Sequence, residues 1–237
     1  MEFKNEIGLI QRRMAASIAG TSRRLEILNA LNIQSGQHVL DIGCGGGHLL
    51  EEIAKAVGPE GKAYGLDTSE DQLKQARKRC SSYENVLTIK GYANQVDLEN
   101  HSCDAISSVQ TFEYIDNVDD SIKELTRILK PSSIFVNISI LWEYYKFFGA
   151  DEELNKTIND TFKAHCFHQM LPTSLEGRLK KFGFKNIKHK PLPMFITNRD
   201  DNSPAKFAEE VIGQFVTQKG MSCLLYTSDA ADEEASG

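Results

Sequence analysis

Apolar positions recur along this chain with two different periods. Val39, Leu40 and Ile42 surround an acidic residue, Asp41, and run into glycines at 43, 45, 46 and 47; Leu49, Leu50 and Ile53 then follow with helical spacing. That pattern predicts a buried strand, a tight loop and a helix. Further strands are predicted over residues 62–67, 86–90, 103–110, 133–140 and 184–190. Helices are predicted over 72–80, 118–129, 175–182 and 205–217. The second of these places Ile122, Leu125 and Ile128 on one face, and Lys130-Pro131 is expected to end it. Strands alternating with helices imply an α/β fold with a mostly parallel sheet.

The glycine loop is the most informative element. A loop without Cβ atoms lets a ligand approach the backbone closely. The helix after it presents unpaired N–H groups that favour a partly negative ligand. A dinucleotide fingerprint, G-x-G-x-x-G, starting at Gly43 would need glycine at position 48, where this chain has His48. The actual string is D-x-G-x-G-x-G from Asp41 to Gly47. It resembles motif I of the class I S-adenosylmethionine methyltransferases, whose loop curves round the methionine part of the cofactor. The second strand ends in Asp67, about 20 residues beyond the loop, where a carboxylate can accept hydrogen bonds from both ribose hydroxyls. Asp67, Ser69, Leu73, Ala76 and Arg77 are similar to that family's second motif; Thr68 or Ser69 also suits a helix N-cap.

Two departures from the family pattern follow. Where family members have G-D-A after the third strand, this chain has Gly91-Tyr92-Ala93. Either Tyr92 borders the adenine, or it is a surface tyrosine and the Ala93 N–H makes that contact. After the helix over 118–129, Leu129-Lys130-Pro131-Ser132-Ser133 replaces L-K-P-G-G, which should stiffen the turn and leave the topology unchanged. Strand ends in open α/β sheets face the ligand crevice, which draws attention to Gln110, Glu113 and Tyr114. Together, the resemblance implies cofactor contacts at Asp41, Gly43, Cys44, Gly45, Gly47, Asp67, Thr68, Tyr92, Ala93 and Gln110. It also implies a three-layer Rossmann-like fold of seven strands.

Composition narrows the function classes. The chain has 237 residues, with 41% hydrophobic and 25% charged positions, as in ordinary globular domains. No apolar run approaches the ~20 residues that span a bilayer, and the N-terminus lacks the shape of a signal peptide. A cytoplasmic location is therefore expected. The five cysteines form no C-x-x-C pair, so they read as reduced thiols with no metal site indicated. Residues 223–237 need separate treatment: Cys223 to Glu233 resemble the in-frame translation of a sequencing adapter. That resemblance implies a non-native tail and a truncated frame lacking its native seventh strand. Four acidic residues and no Lys or Arg lie in that tail, so the net charge of −6 falls to −2 without it. A nearly neutral body offers no general attraction for nucleic acid.

The acceptor is less legible. The best resemblance is to the small-molecule group of the family, of ubiquinone and menaquinone methyltransferase type. It implies an N-terminal helical segment (1–35) over the cofactor, a cofactor-binding core (36–140), a substrate cap (141–172) and the remainder of the core (173–222). Arg12, Arg13, Arg23 and Arg24 in the first segment are either cofactor-closing residues or a solvated basic face. The cap holds Trp142, Tyr144, Tyr145, Phe147, Phe148, Phe162 and Phe167, which either line an apolar pocket or pack the cap on the sheet. His165 and His168 are three apart with no third metal ligand evident. His165 and Tyr114 are the candidate catalytic groups, His165 as a general base. The expected reaction is in-line transfer of methyl from sulfur to a small-molecule acceptor. It requires chiefly alignment, and a base only where the acceptor must lose a proton. A non-catalytic cofactor-binding protein is the alternative, and an NAD-dependent oxidoreductase stands further behind. Oligomeric state is not legible.

Overall fold

In the computed structural model, residues 5–144, 152–192 and 204–218 are described. Two helices, α1 (Asn5–Ala16) and α2 (Ile18–Leu31), precede the sheet. The break between them is chemical: the Ser17 hydroxyl accepts the Gly20 N–H at 3.2 Å and caps α2. Then follow β1 (His38–Ile42), α3 (His48–Val57), β2 (Lys62–Asp67), α4 (Glu70–Arg79), β3 (Val86–Lys90) and β4 (Cys103–Val109). After β4 come α5 (Val118–Ile128), β5 (Leu129–Ile138), α6 (Glu152–Phe162), α7 (Leu171–Lys181) and α8 (Pro204–Gln218).

The five strands form one parallel sheet in the order β3-β2-β1-β4-β5. Helices cover both faces, as the sequence resemblance implies. One half of the core packs Leu40, Ile42, Leu66 and Ile106 against α5 and α7; the other packs Val39, Ala63 and Ala105 against α2 and α3. Burial on both faces is why β1, β2 and β4 are buried at nearly every position and show no alternation. Strand order reverses between β1 and β4, and the crevice at such a reversal is where ligands bind in these sheets.

Two sequence expectations are corrected. Residues 184–190 form no strand: Phe184 and Ile187 pack on the core, Asn186 takes a left-handed φ of 55°, and His189 and Lys190 pair with Glu176 and Glu26. Apolar residues three apart cannot share one face of an extended strand, whose period is two. The turn into β5 also differs. The strand begins at Leu129, directly after the helix, and its register against β4 jumps from Cys103↔Leu129 to Ala105↔Ile134. Ser132 there adopts φ 65°, the conformation that glycine would take without strain. Among the described residues no antiparallel seventh strand is present. The adapter-like tail, Cys223, Tyr145, Phe147 and Phe148 lie outside them.

Candidate active site

The loop after β1 is held from three sides. Gly43 has φ 72°, and a Cβ on it would stand 2.0 Å from the Thr111 hydroxyl, so no other residue fits. Its N–H and that of Cys44 donate to the Leu66 carbonyl at the end of β2. Gly45 donates its N–H to one Asp67 oxygen at 2.9 Å, and Ser69 donates to the other at 2.8 Å. The Asp67 carboxylate therefore bridges loop and strand end and keeps further lone pairs for a ligand. Gly47, also expected at the cofactor, has a structural role in the fold. It caps α3 with φ 80°, and a Cβ there would meet the Ala76 Cα of α4 at 2.8 Å; it lies off the cavity.

A cavity of about 850 Å³ opens above this loop. Asp41, Gly43, Cys44, Gly45, Asp67, Thr68, Tyr92, Ala93, Gln110 and Tyr114 all line it. Tyr92 is 70% exposed at the rim, while Ala93 is buried. Asp41 is buried and accepts the Ser107 hydroxyl at 2.8 Å. Burial raises its pKa to about 7, with the Ser107 hydrogen bond acting against the rise and nearby Asp67 adding to it. Burial likewise raises Asp67, against its backbone hydrogen bonds. Two carboxylates held in a desolvated pocket favour a cationic ligand.

Several lining residues carry no motif. Gln11 from α1 bonds Gln72 of α4 at 3.2 Å, and Arg12 reaches the same glutamine at 3.3 Å, so α1 is laced across the glycine loop. Ser121 lines the cavity with a buried hydroxyl that has no partner among the described residues. Helical position alone marks none of these as site residues. At the far end the wall is apolar and aromatic, with Ile115, Trp142, Phe162, Phe167 and Ile212.

The expected general base sits in an aromatic cluster. His165 is buried outside the cavity lining, stacked on Phe162 at 3.8 Å and edge-on to Trp142 at 4.6 Å. Its Nδ1 bonds the Phe162 carbonyl at 2.6 Å, and burial lowers its pKa to about 4. A neutral ring in this stack packs directly behind Phe162 and Trp142, two residues of the cavity wall. His168 Nε2 meets the Asp116 carbonyl instead, so the two histidines do not converge. No group of three His, Cys, Asp or Glu arranged for a metal occurs among the described residues. Tyr114 stays at the cavity, its hydroxyl pKa pushed well up by burial and by Glu113. Glu113, also considered from topology, is fully buried off the cavity, with Oε2 accepting the Ser139 hydroxyl at 2.9 Å.

A model of the methyltransferase domain matches residues 33–199. The chain belongs to the methyltransferase domain family. It is 34% identical over 115 residues to the demethylmenaquinone methyltransferase of Geobacillus stearothermophilus, covering 48% of this chain and 49% of that protein. It is 28% identical over 166 residues to an uncharacterized 37.1 kDa protein in transposon TN4556 of Streptomyces fradiae, covering 70% of this chain and 47% of that one. The chain thus spans about half the length of the curated relatives it matches. In fold it is similar to a SAM-dependent methyltransferase from Aquifex aeolicus, with TM-score 0.57 and 20% identity over 77% of this chain and 90% of that one. For this methyltransferase-domain chain, the residues present fit S-adenosylmethionine. Paired carboxylates suit its positive charges, Asp67 has acceptors left for hydroxyls, and Ser121 offers an unused hydroxyl. Among the described residues no helix is long and apolar enough to cross a membrane.

Proposed function

We propose that this chain transfers the methyl group of S-adenosylmethionine to a small organic acceptor with an apolar body, in the cytoplasm. The observation that carries the reading is the two-ended cavity: a buried carboxylate, a half-buried one and glycine backbone at one end, an aromatic wall at the other. When bound, the donor supplies a methyl group on a sulfonium, whose leaving group is a neutral thioether. Asp67 and the loop orient the nucleoside, and Asp41 favours the cationic state. Tyr114, Trp142 and Phe162 exclude water and hold the acceptor; Trp142, Phe162 and Phe167 come from the cap segment, while Gln11 and Arg12 of the N-terminal segment lie over the glycine loop. With His165 sequestered, the chain's contribution is alignment, which alone lowers such barriers by roughly 7–11 kcal/mol. The matched relative named for demethylmenaquinone supports a quinol-like acceptor, and the weak net charge supports a small molecule over a nucleic acid.

Calorimetry with S-adenosylhomocysteine and with NAD tests the donor: the first should bind in the micromolar range and the second should not. Labelled methyl transfer to a panel of hydroxynaphthoquinols and phenols tests the acceptor. Donor binding with no transfer to any panel member would return the reading to a non-catalytic binding protein.

A further inference from the structure

Glu113 is the most deeply buried carboxylate among the described residues. It stands in the turn Phe112–Tyr114 after β4, and the transfer reaction makes no use of it. Its Oε2 accepts the Ser139 hydroxyl at 2.9 Å, and the Ser139 oxygen accepts the Asn137 amide at 3.0 Å. Asn137 is the register partner of Ser108 across β4 and β5, so both side chains leave the sheet on one face. Three buried oxygens of this cluster have no hydrogen-bond partner among the described residues: Glu113 Oε1, Asn137 Oδ1 and Ser108 Oγ. Two of them can only accept, and the third brings one proton. Those three atoms are therefore one donor short. Nor does a Lys or Arg among the described residues act on the carboxyl. The titratable groups around it are Tyr114 on its own turn, and His165, Cys166 and His168 from the segment packed there. Burial keeps the Tyr114 hydroxyl and the Cys166 thiol protonated and the His165 ring neutral, and the His168 ring is turned to the Asp116 carbonyl. The main chain of the same residue carries part of the cavity wall. The Glu113 carbonyl accepts the N–H of Phe167 at 3.0 Å and of His168 at 3.1 Å, and the Gln169 carbonyl accepts the N–H of Trp142 at 3.0 Å. Phe167 and Trp142 both line the cavity.

We infer that Glu113 is a positioning residue for the aromatic wall: protonated, it docks residues 166–169 on the turn, and ionised, it loosens them. A proton on Oε1 supplies the missing donor, whereas the carboxylate puts an unbalanced charge into a desolvated cluster. Burial pushes the Glu113 pKa up to about 7, against its own backbone N–H, the Ser139 hydroxyl and the Ile140 N–H. Released into water, the group returns to an ordinary value near ~4.3. The docked segment thus keeps the proton through a window in which the released one has lost it. Docking is strongest below the ordinary value, weakens as pH rises through the window, and levels off above about 7. The inference rests on the methyltransferase reading only for what the wall holds.

Hydrogen exchange of the Phe167 and His168 amides in the full chain tests this. Each amide is compared between wild type and Glu113→Gln at the same pH, which cancels the intrinsic exchange chemistry; the glutamine stands in for the neutral acid. Opening in wild type relative to the variant should grow by up to about tenfold per pH unit between about pH 5 and 7, then stay level. Asp41→Asn removes the other carboxyl raised to about 7 and should leave that growth intact. Ser139→Ala removes a bond that favours the ionised form, so its window should extend to higher pH. That variant carries the test if Glu113→Gln melts early, and an unmoved window then overturns the proposal. Quenching of Trp142, the single tryptophan of the chain, by menadione extends the test to the wall. Menadione affinity should fall over the same window in wild type and stay flat in Glu113→Gln. Equal exchange in wild type and Glu113→Gln at every pH shows the carboxylate to be satisfied by trapped solvent and overturns the proposal, as does stronger protection of wild type at high pH. A wild type that binds no menadione counts against the quinol-like acceptor instead, and the exchange result still decides Glu113.

Discussion

At the glycine-loop end of the cavity the wall is main chain and short acidic side chains, held within one strand-helix-strand unit: Gly43 and Cys44 to Leu66, Gly45 and Ser69 to Asp67. At the aromatic end it is side chains from α6, α8, the Trp142 turn and the segments holding Ile115 and Phe167, brought together from distant parts of the chain. The first end is fixed by backbone conformations that only certain residues adopt. The second is fixed by packing volume, which many sequences satisfy. Substitutions at the first end should accordingly be costly and specific, and those at the second tolerated or purely structural.

The largest effect is expected at Gly43. In Gly43→Ala the added Cβ meets Thr111 at a backbone angle hostile to L-residues, costing about 2–5 kcal/mol of stability and all measurable donor binding. The double variant with Thr111→Gly removes the clash but not the strain, and should recover part of the melting temperature. Full tolerance of Gly43→Ala would show the loop to be looser than its geometry.

Asp67→Asn comes next. The new side chain can accept only one of the two backbone N–H bonds and aims an NH₂ at the other. S-adenosylhomocysteine affinity should fall about 10- to 100-fold by calorimetry, with a melting shift much smaller than that of Gly43→Ala.

Asp41 separates charge from shape. Its pKa of about 7 in the fold exceeds the ordinary value near 3.9. Folding therefore takes up a proton between those pH values, and stability falls as pH rises across the window. Asp41→Asn should be more stable than wild type at pH 8, by up to roughly 4 kcal/mol, with the difference gone below about pH 4. Only the ionised carboxylate attracts a sulfonium. The ratio of S-adenosylmethionine to S-adenosylhomocysteine affinity should thus rise as pH rises through about 7, and stay flat in Asp41→Asn.

The smallest effect is expected at the aromatic end. In His165→Asn the amide can still donate to the Phe162 carbonyl; turnover on any accepted acceptor should stay within about threefold of wild type, with a modest melting loss from the vacated stack. A loss of a hundredfold or more, with the shape of the pH–rate profile changed, would restore His165 as the base.

The same contrast governs what was legible in the sequence. Asp41, Gly43, Gly45 and Asp67 could be read because strand-loop-helix chemistry is local and each position has a narrow set of permitted residues. The surroundings of His165 were not legible, because H-C-F-H shows two titratable rings and nothing of the aromatic stack around one of them. Gln11, Gln72 and Ser121 sit at ordinary helical positions, and only the approach of α1 to the loop gives them a role. The stretch over 184–190 resembled a strand by composition, while Asn186 and the spacing of its two apolar residues decided otherwise.

By itself, the order of residues determined the α/β class, the succession of elements through β5, and the backbone-and-carboxylate half of the site, because periodicity and positive-φ glycines act over a few residues. Tertiary structure alone decided which histidine is buried and which face of α1 closes the loop. It also decided that Arg23 and Gln110, 87 positions apart, meet at one cavity. Burial, desolvation and charge pairing depend on neighbours that only the folded chain assembles.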